Sequence, residues 1–232
     1  PGSTHGYDVC NHNEINPELG GADGHAKFIA ALKAHGLGQI IDFVPNHMGI
    51  GGNANLWWRD VLENGPSSPT AKFFDIDWAP TKAELHAKLL LPILGDQYGR
   101  VLERGELQLE FRDGVLVLRY HEHELPINPR QAPRVYRLAV EPLTAELGPD
   151  NPHLHEFLSI LASLENMPAY TEQDPVRIAE RQREKEVARA RLSRLVQESP
   201  VVLKHIEAAV AIVNGTPGVA ESYDALHALL EA

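Results

Sequence analysis

The run Asp42-Phe43-Val44-Pro45-Asn46-His47 gathers three side chains able to hold a polar ligand at the end of one apolar stretch. A carboxylate, an amide and an imidazole together supply acceptors, donors and a titratable ring. Gln39-Ile40-Ile41 precede them, and the nearly continuous apolar run suits a strand buried on both faces, as in a parallel sheet. Polar residues at the C-terminal end of such a strand stand where barrel active sites form. Side chains alternate along a strand, so Asp42 and Phe43 face opposite ways and only some of these residues share one cavity. The plainer alternative is a strand end satisfied by its own loop, with Asn and Asp making turns.

Other reactive residue types carry less. His121-Glu122-His123-Glu124 would put His121 and His123 on one face of a strand, but no third ligand follows at a useful spacing, so no metal site is assigned. Cys10 has only His12 nearby as a base, and a thiol nucleophile is not expected there. The Arg/Glu-rich run from Arg177 to Arg194 mixes both signs at helical spacing and reads as a salt-bridged, exposed helix. Asn214-Gly215-Thr216 reads as a helix C-cap.

The elements that must position these residues alternate in the first part of the chain. His5 to Val9 reads as the end of a strand entering a polar loop. Asp23 can cap a helix that presents Phe28, Ile29 and Leu32 and stops at Gly36. With Gln39–Val44 this makes a strand–helix–strand unit. Asn55 can cap a short helix through Trp57 and Trp58 to Glu63, ended by Asn64-Gly65-Pro66. Leu107, Leu109 and Phe111 alternate, Arg112-Asp113-Gly114 turns, and Val115 to Leu118 return as a hairpin. From Pro133 the pattern is helical: a helix from Asn151-Pro152 with Leu154, Phe157, Leu158, Leu161 and Leu164, a charged helix from Pro175 to Glu198, and a helix from Pro200 with Leu203, Ile206, Val210 and Val213. A last helix groups Tyr223, Leu226, Leu229 and Leu230.

Composition narrows the function classes. The 232 residues carry 32 acidic against 21 basic side chains, a formal charge of -11, which argues against a nucleic-acid partner and suits a neutral substrate. A single cysteine excludes an internal disulfide framework and fits a reducing cytoplasm. No apolar stretch approaches the roughly 20 residues of a membrane span, so no membrane partner is expected. The chain begins at Pro1 without an initiator methionine and reads as an internal fragment.

The motif Asp42-x-x-x-Asn46-His47 resembles the first signature region of the α-amylase superfamily, glycoside hydrolase family 13. His5-Gly6-Tyr7-Asp8-Val9 with Asn16-Pro17-Glu18-Leu19-Gly20-Gly21 resembles the region after the second barrel strand of the same superfamily. Leu56-Trp57-Trp58-Arg59-Asp60-Val61-Leu62-Glu63-Asn64-Gly65-Pro66, Phe74-Asp75-Ile76-Asp77-Trp78, Pro92-Ile93-Leu94-Gly95-Asp96 and Leu125-Pro126-Ile127 are similar to the maltooligosyltrehalose synthase family. The resemblance implies an α/β fold: a partial TIM (β/α)₈ barrel segment at 1–48, an inserted α+β B domain with the hairpin at 49–130, and an extra helical subdomain at 131–232. It implies substrate-binding roles for Tyr7 (stacking on a sugar ring), His47 (donating to the same sugar), Asp42 (ordering the floor of the site) and Asn46 (holding the loop). Tyr7 as a core tyrosine with a satisfied hydroxyl is the alternative. Trp57 and Trp58, with Trp78, offer flat apolar surfaces suited to a glucan chain, though adjacent helix positions cannot both face one way. Asn11 stands where relatives carry aspartate, and stays outside the catalytic set.

What the resemblance implies for activity is an isomerase of trehalose biosynthesis. It would convert the reducing-end α-1,4 linkage of a maltooligosaccharide into an α,α-1,1 linkage without a cofactor. Such chemistry needs two carboxylates about 5 Å apart. No Arg-x-Asp on a buried strand followed by a suitable glutamate occurs here, so no catalytic residue is assigned, and the fragment alone is expected to be inactive and to need the remainder of the barrel. The alternatives are a hydrolysing α-amylase-type relative and a non-catalytic glucan-binding fragment.

Overall fold

The computed structural model describes residues 2–231, which divide into two compact units at the Trp58–Arg59 boundary. No helix among the described residues is long and apolar enough to cross a membrane.

The first unit contains one long helix, α1 (Gly21–Ala34). A 3-10 turn, Pro17–Leu19, leads into it, with the Asn16 side chain accepting from the Glu18 N–H at 3.1 Å. The expectation that Asp23 caps α1 is corrected. The cap is Gly20, at φ 94°, a left-handed conformation that glycine adopts at little cost, and Asp23 lies in the first turn. There its charge complements the positive end of the helix dipole. The helix ends at His35 and Gly36, as the sequence suggests.

The two strands expected in this unit are not formed. Residues 5–9 and 39–44 lie outside any ladder, and Ile40 is 99% exposed and Ile41 72%. An extended segment counts as a strand only when neighbours take up its N–H and C=O groups, and among the described residues no backbone hydrogen bond reaches 39–44. The apolar face of α1 is likewise unburied, with Phe28 49% exposed.

The second unit holds the hydrophobic core. Helix α2 (Leu56–Asn64) runs into it, followed by α3 (Tyr98–Glu103). The expected hairpin is part of a three-stranded antiparallel meander: β1 (Leu107–Arg112), β2 (Val115–Tyr120) and β3 (His123–Pro126). Leu107 and Leu109 pair with Tyr120 and Leu118 and are buried with them. The exposed face carries an ion lattice in which Arg119 meets Glu110 and Arg112 meets Glu124, each at 2.6 Å. Asp113 (φ 52°) and Gly114 (φ 83°) both take left-handed conformations, as a tight two-residue hairpin turn requires. His121 (φ 50°) sits in the β2–β3 turn, so it and His123 do not share a strand face.

Helices α4 (Pro133–Tyr136), α5 (Val140–Leu147), α6 (Pro152–Asn166), α7 (Pro175–Glu198), α8 (Pro200–Val213) and α9 (Asp224–Leu230) complete the unit. Asn151 caps α6 by accepting from the His153 N–H at 2.9 Å, with Pro152 in the first turn. The apolar stripe of α6 buries Leu154, Phe157, Leu161 and Leu164, plus Ile160. The phenyl ring of Phe157 meets that of Tyr136 edge-on at 6.2 Å. At the C-terminus of α8, the Asn214 side chain accepts from the Leu109 N–H at 2.7 Å and donates to the Leu109 carbonyl at 2.8 Å.

Helix α7 departs from its expected character. Arg177–Glu180 and Arg189–Glu186 are exposed pairs, but Arg181 is fully buried and Lys185 nearly so. Arg181 donates to Asn64 Oδ1 (3.3 Å), the Pro168 carbonyl (2.7 Å) and Asn128 Oδ1 (3.1 Å). Burial pushes its guanidinium down to about 10, so it stays protonated at neutral pH. Lys185 Nζ lies 3.1 Å from Asp60 Oδ1 and 2.6 Å from Glu63 Oε2 on α2.

Two outcomes follow from this packing. A Cβ at Gly114 would press on the Arg189 carbonyl of α7, besides its unfavourable φ. Gly114→Ala is therefore expected to cost about 2–3 kcal/mol in urea unfolding. Lys185→Met leaves Asp60 and Glu63 without their cation. Because both carboxylates keep some solvent, the expected loss is about 2–3 kcal/mol rather than the larger cost of a fully buried pair.

Candidate functional site

Tyr7, Asp42 and His47 come together in the first unit. The Tyr7 hydroxyl donates to Asp42 Oδ2 at 2.6 Å, and His47 Nε2 lies 2.8 Å from the Tyr7 carbonyl oxygen. A carbonyl only accepts, so Nε2 carries the proton and Nδ1 is left as the ring's second polar atom. A third link, from the Gly49 N–H to the Val9 carbonyl at 3.0 Å, holds the chain after His47 against the chain after Tyr7. Gly49 has to be glycine, since a Cβ there would stand 2.5 Å from the Asp8 carbonyl oxygen. These three contacts thus hold the stretch from Asp42 to Gly49 against the stretch from Tyr7 to Val9.

Electrostatics agrees with the geometry. Donation to Asp42, followed by the nearby carboxylate charge, raises the Tyr7 phenol above the ordinary tyrosine range. Tyr7 is 43% exposed, and Asp42 and His47 are also exposed, so the cluster is open to a ligand from solvent.

The remaining expected residues divide. Asn46 is exposed at a bend beside His47, and no hydrogen bond joins it to Tyr7, Asp42 or His47. Trp57 is 37% exposed and Trp58 half-buried, so neither is enclosed in a core. Asn11 makes a local turn, its Oδ1 accepting from the Asn13 N–H at 3.0 Å.

Asn55 does more than cap. Its Oδ1 accepts from the Trp58 N–H at 3.0 Å, as expected of a helix start, while its Nδ2 donates to the Gly49 carbonyl at 2.9 Å. At 3% exposure it is the buried polar link between the His47 loop and the start of α2. Sequence reasoning found the cap and missed the second bond. Its signal was a glycine directly after the polar motif, where backbone has to approach backbone closely. Arg181 and Lys185 were also missed, because a charged helix gives no sign of which cation turns inward.

Chemically, the cluster offers a phenol ring, a carboxylate and an imidazole to a neutral, hydroxyl-bearing ligand. It does not supply a carboxylate pair. Among the described residues no group of three or more His, Cys, Asp or Glu is placed to hold a metal ion. Replacing Asp42 by Asn removes the charge beside Tyr7. The Tyr7 ring carbon signal in a ¹³C NMR titration should then move at lower pH than in the unchanged protein.

Residues 1–99 match the family described as alpha amylase, catalytic domain. A stretch of 123 residues is 45% identical to the "Putative maltooligosyl trehalose synthase" of Mycobacterium tuberculosis, in strains CDC 1551 and H37Rv, covering 49% of this chain and 15% of that protein. Maltase A1 of Drosophila melanogaster is 34% identical over 61 residues, 26% of this chain and 10% of the relative. Trehalose-6-phosphate hydrolase of Escherichia coli K12 is 31% identical over 74 residues, 32% and 12% respectively. The matched stretch thus spans only about 15% of the length of the first of these relatives. No solved structure matches the chain.

Proposed function

From the match of residues 1–99 to the alpha amylase catalytic domain and the 45% identity to the mycobacterial relative, we propose that the chain is a segment of an α-glucan-active enzyme of the maltooligosyltrehalose synthase type, in the α-amylase superfamily. The family's catalytic domain is a TIM-barrel-type fold. On this reading residues 1–48 are barrel, 49–130 the inserted B domain and 131–232 an accessory helical region. Residues 39–44 become a strand once barrel neighbours take up their hydrogen bonds.

The observation that carries the proposal is the meeting of Tyr7, Asp42 and His47 within the matched residues. Tyr7 presents its ring to the apolar C–H face of a sugar while Asp42 fixes its hydroxyl. With Nε2–H held by the Tyr7 carbonyl, His47 meets a sugar hydroxyl through Nδ1, accepting when neutral and donating when protonated. Asn46 holds the loop, and Trp57 and Trp58 extend the glucan-binding wall.

The reaction proposed is intramolecular transglycosylation, in which a covalent glycosyl-enzyme forms and the released glucose is reattached through its anomeric oxygen. Its two carboxylates come from other parts of the enzyme, so this chain alone binds without turning over. Excluding water during reattachment separates an isomerase from a hydrolase. A cytoplasmic location and a maltooligosaccharide substrate belong to the same proposal. The hydrolase names of the Drosophila and Escherichia coli relatives favour a second reading, an α-amylase-type hydrolase.

The test is to incubate the enzyme that contains this segment with maltopentaose. A non-reducing product of unchanged length is expected; shortened, reducing chains would establish the hydrolase instead. His47→Ala should lower turnover by about 2–4 kcal/mol of transition-state stabilisation, roughly 30- to 900-fold. An unchanged rate removes His47 from the site.

A further inference from the structure

A cavity of about 300 Å³ lies within the second unit, lined by Trp78 and Tyr170, by aliphatic side chains such as Leu89, by Glu63, Asn128 and Gln131, and by Lys88 and Glu231, the Lys88 ammonium donating to the Glu231 carbonyl at 3.2 Å. Its size is at the lower end for small-molecule sites, and its make-up is the usual one of apolar walls with a few polar groups.

What those polar groups leave undone identifies the ligand class. Asn128 Oδ1 accepts from Arg181 at 3.1 Å and from the Arg130 N–H at 3.2 Å, which fixes the amide's orientation. Its Nδ2 donor makes no hydrogen bond among the described residues. Neither does the side-chain amide of Gln131. Glu63 engages Lys185 and Asn64 through Oε2 alone, leaving Oε1 as an acceptor. A purely apolar ligand would bury these groups unpaired, at a cost. An anion would meet two lining acids, Glu63 and Glu231, against the single cation of Lys88, which already donates to the Glu231 carbonyl. Hydroxyl groups both donate and accept, so a neutral polyhydroxylated molecule satisfies all three.

The platform is held as firmly as the polar groups. The Trp78 carbonyl accepts from the Ala87 N–H at 2.8 Å, and Ala87 takes φ 56°, an uncommon conformation for a residue with a Cβ. Arg181, which orients Asn128, is itself held by Asn64 and the Pro168 carbonyl. Second-layer contacts of this kind pre-organise a binding site.

We propose that this cavity of the second unit is a saccharide-binding site in its own right, built without any residue of the Tyr7–Asp42–His47 cluster and taking a short neutral glucan with a sugar ring against Trp78. The choice of glucan rests on the α-glucan reading above; the cavity and its uncommitted groups do not.

The test titrates maltotriose into the isotope-labelled full chain and follows backbone, indole and side-chain amide NMR signals. Shifts at the Trp78 indole and the Gln131 and Asn128 amides are expected. Trp78→Ala, and separately Gln131→Leu, should each weaken that response about tenfold while the rest of the spectrum stays folded. His47→Ala should leave it unchanged. Gln131→Leu keeps the side-chain bulk and stays informative if Trp78→Ala unfolds. Shifts confined to Tyr7 and His47 would overturn the second site and leave the α-glucan reading standing. No shift anywhere in the chain would overturn both.

Discussion

Every backbone N–H and C=O taken from water needs a partner, and this requirement separates the two units more sharply than their compositions do. In the second unit the chain satisfies itself: strands pair in a meander, helices bond internally, and apolar side chains close over them. In the first unit an apolar run with no ladder leaves Ile40 almost wholly in solvent. The polar cluster survives there because it is held by side-chain contacts, a phenol on a carboxylate and an imidazole on a carbonyl, that do not depend on a sheet. Site geometry is therefore more complete than the scaffold expected to carry it.

Buried charge sets the architecture of the second unit. A guanidinium with no exposed surface has to be surrounded by acceptors, and Arg181 finds them on three separate segments. Lys185, one turn later, is answered by two carboxylates one turn apart on α2. Replacing Lys185 together with Asp60 and Glu63 by apolar residues of similar shape need not weaken the fold, since desolvation offsets much of the attraction, whereas removing the cation alone strands the two carboxylates. What the charges contribute is register: only one alignment of α7 against α2 pairs every group.

The sequence was most legible where periodicity and caps agree. The bounds of α7, the Asn151-Pro152 start of α6, the Asp113-Gly114 turn and the inward Leu107 and Leu109 all follow from spacing and residue type alone. Legibility failed where the outcome depends on distant partners. Gln39–Val44 has the composition of a buried strand, but composition cannot supply the neighbours that make it one. His121 was misplaced because a left-handed turn residue interrupts an apparently continuous strand. Of the candidate site, Tyr7, Asp42 and His47 were readable as types within a motif. That the tyrosine hydroxyl would engage the aspartate, across 35 residues, was not, because spacing along a chain does not report approach in space.

The amide of Asn214 has a consequence for how molecules of this protein meet one another. By giving Leu109 both a donor and an acceptor, it imitates the peptide unit of an adjoining strand at the outer margin of the meander. A stray extended chain approaching β1 finds that position already occupied, so intermolecular sheet growth is blocked there. A single side chain at the end of a helix thus guards an otherwise adhesive border against self-association.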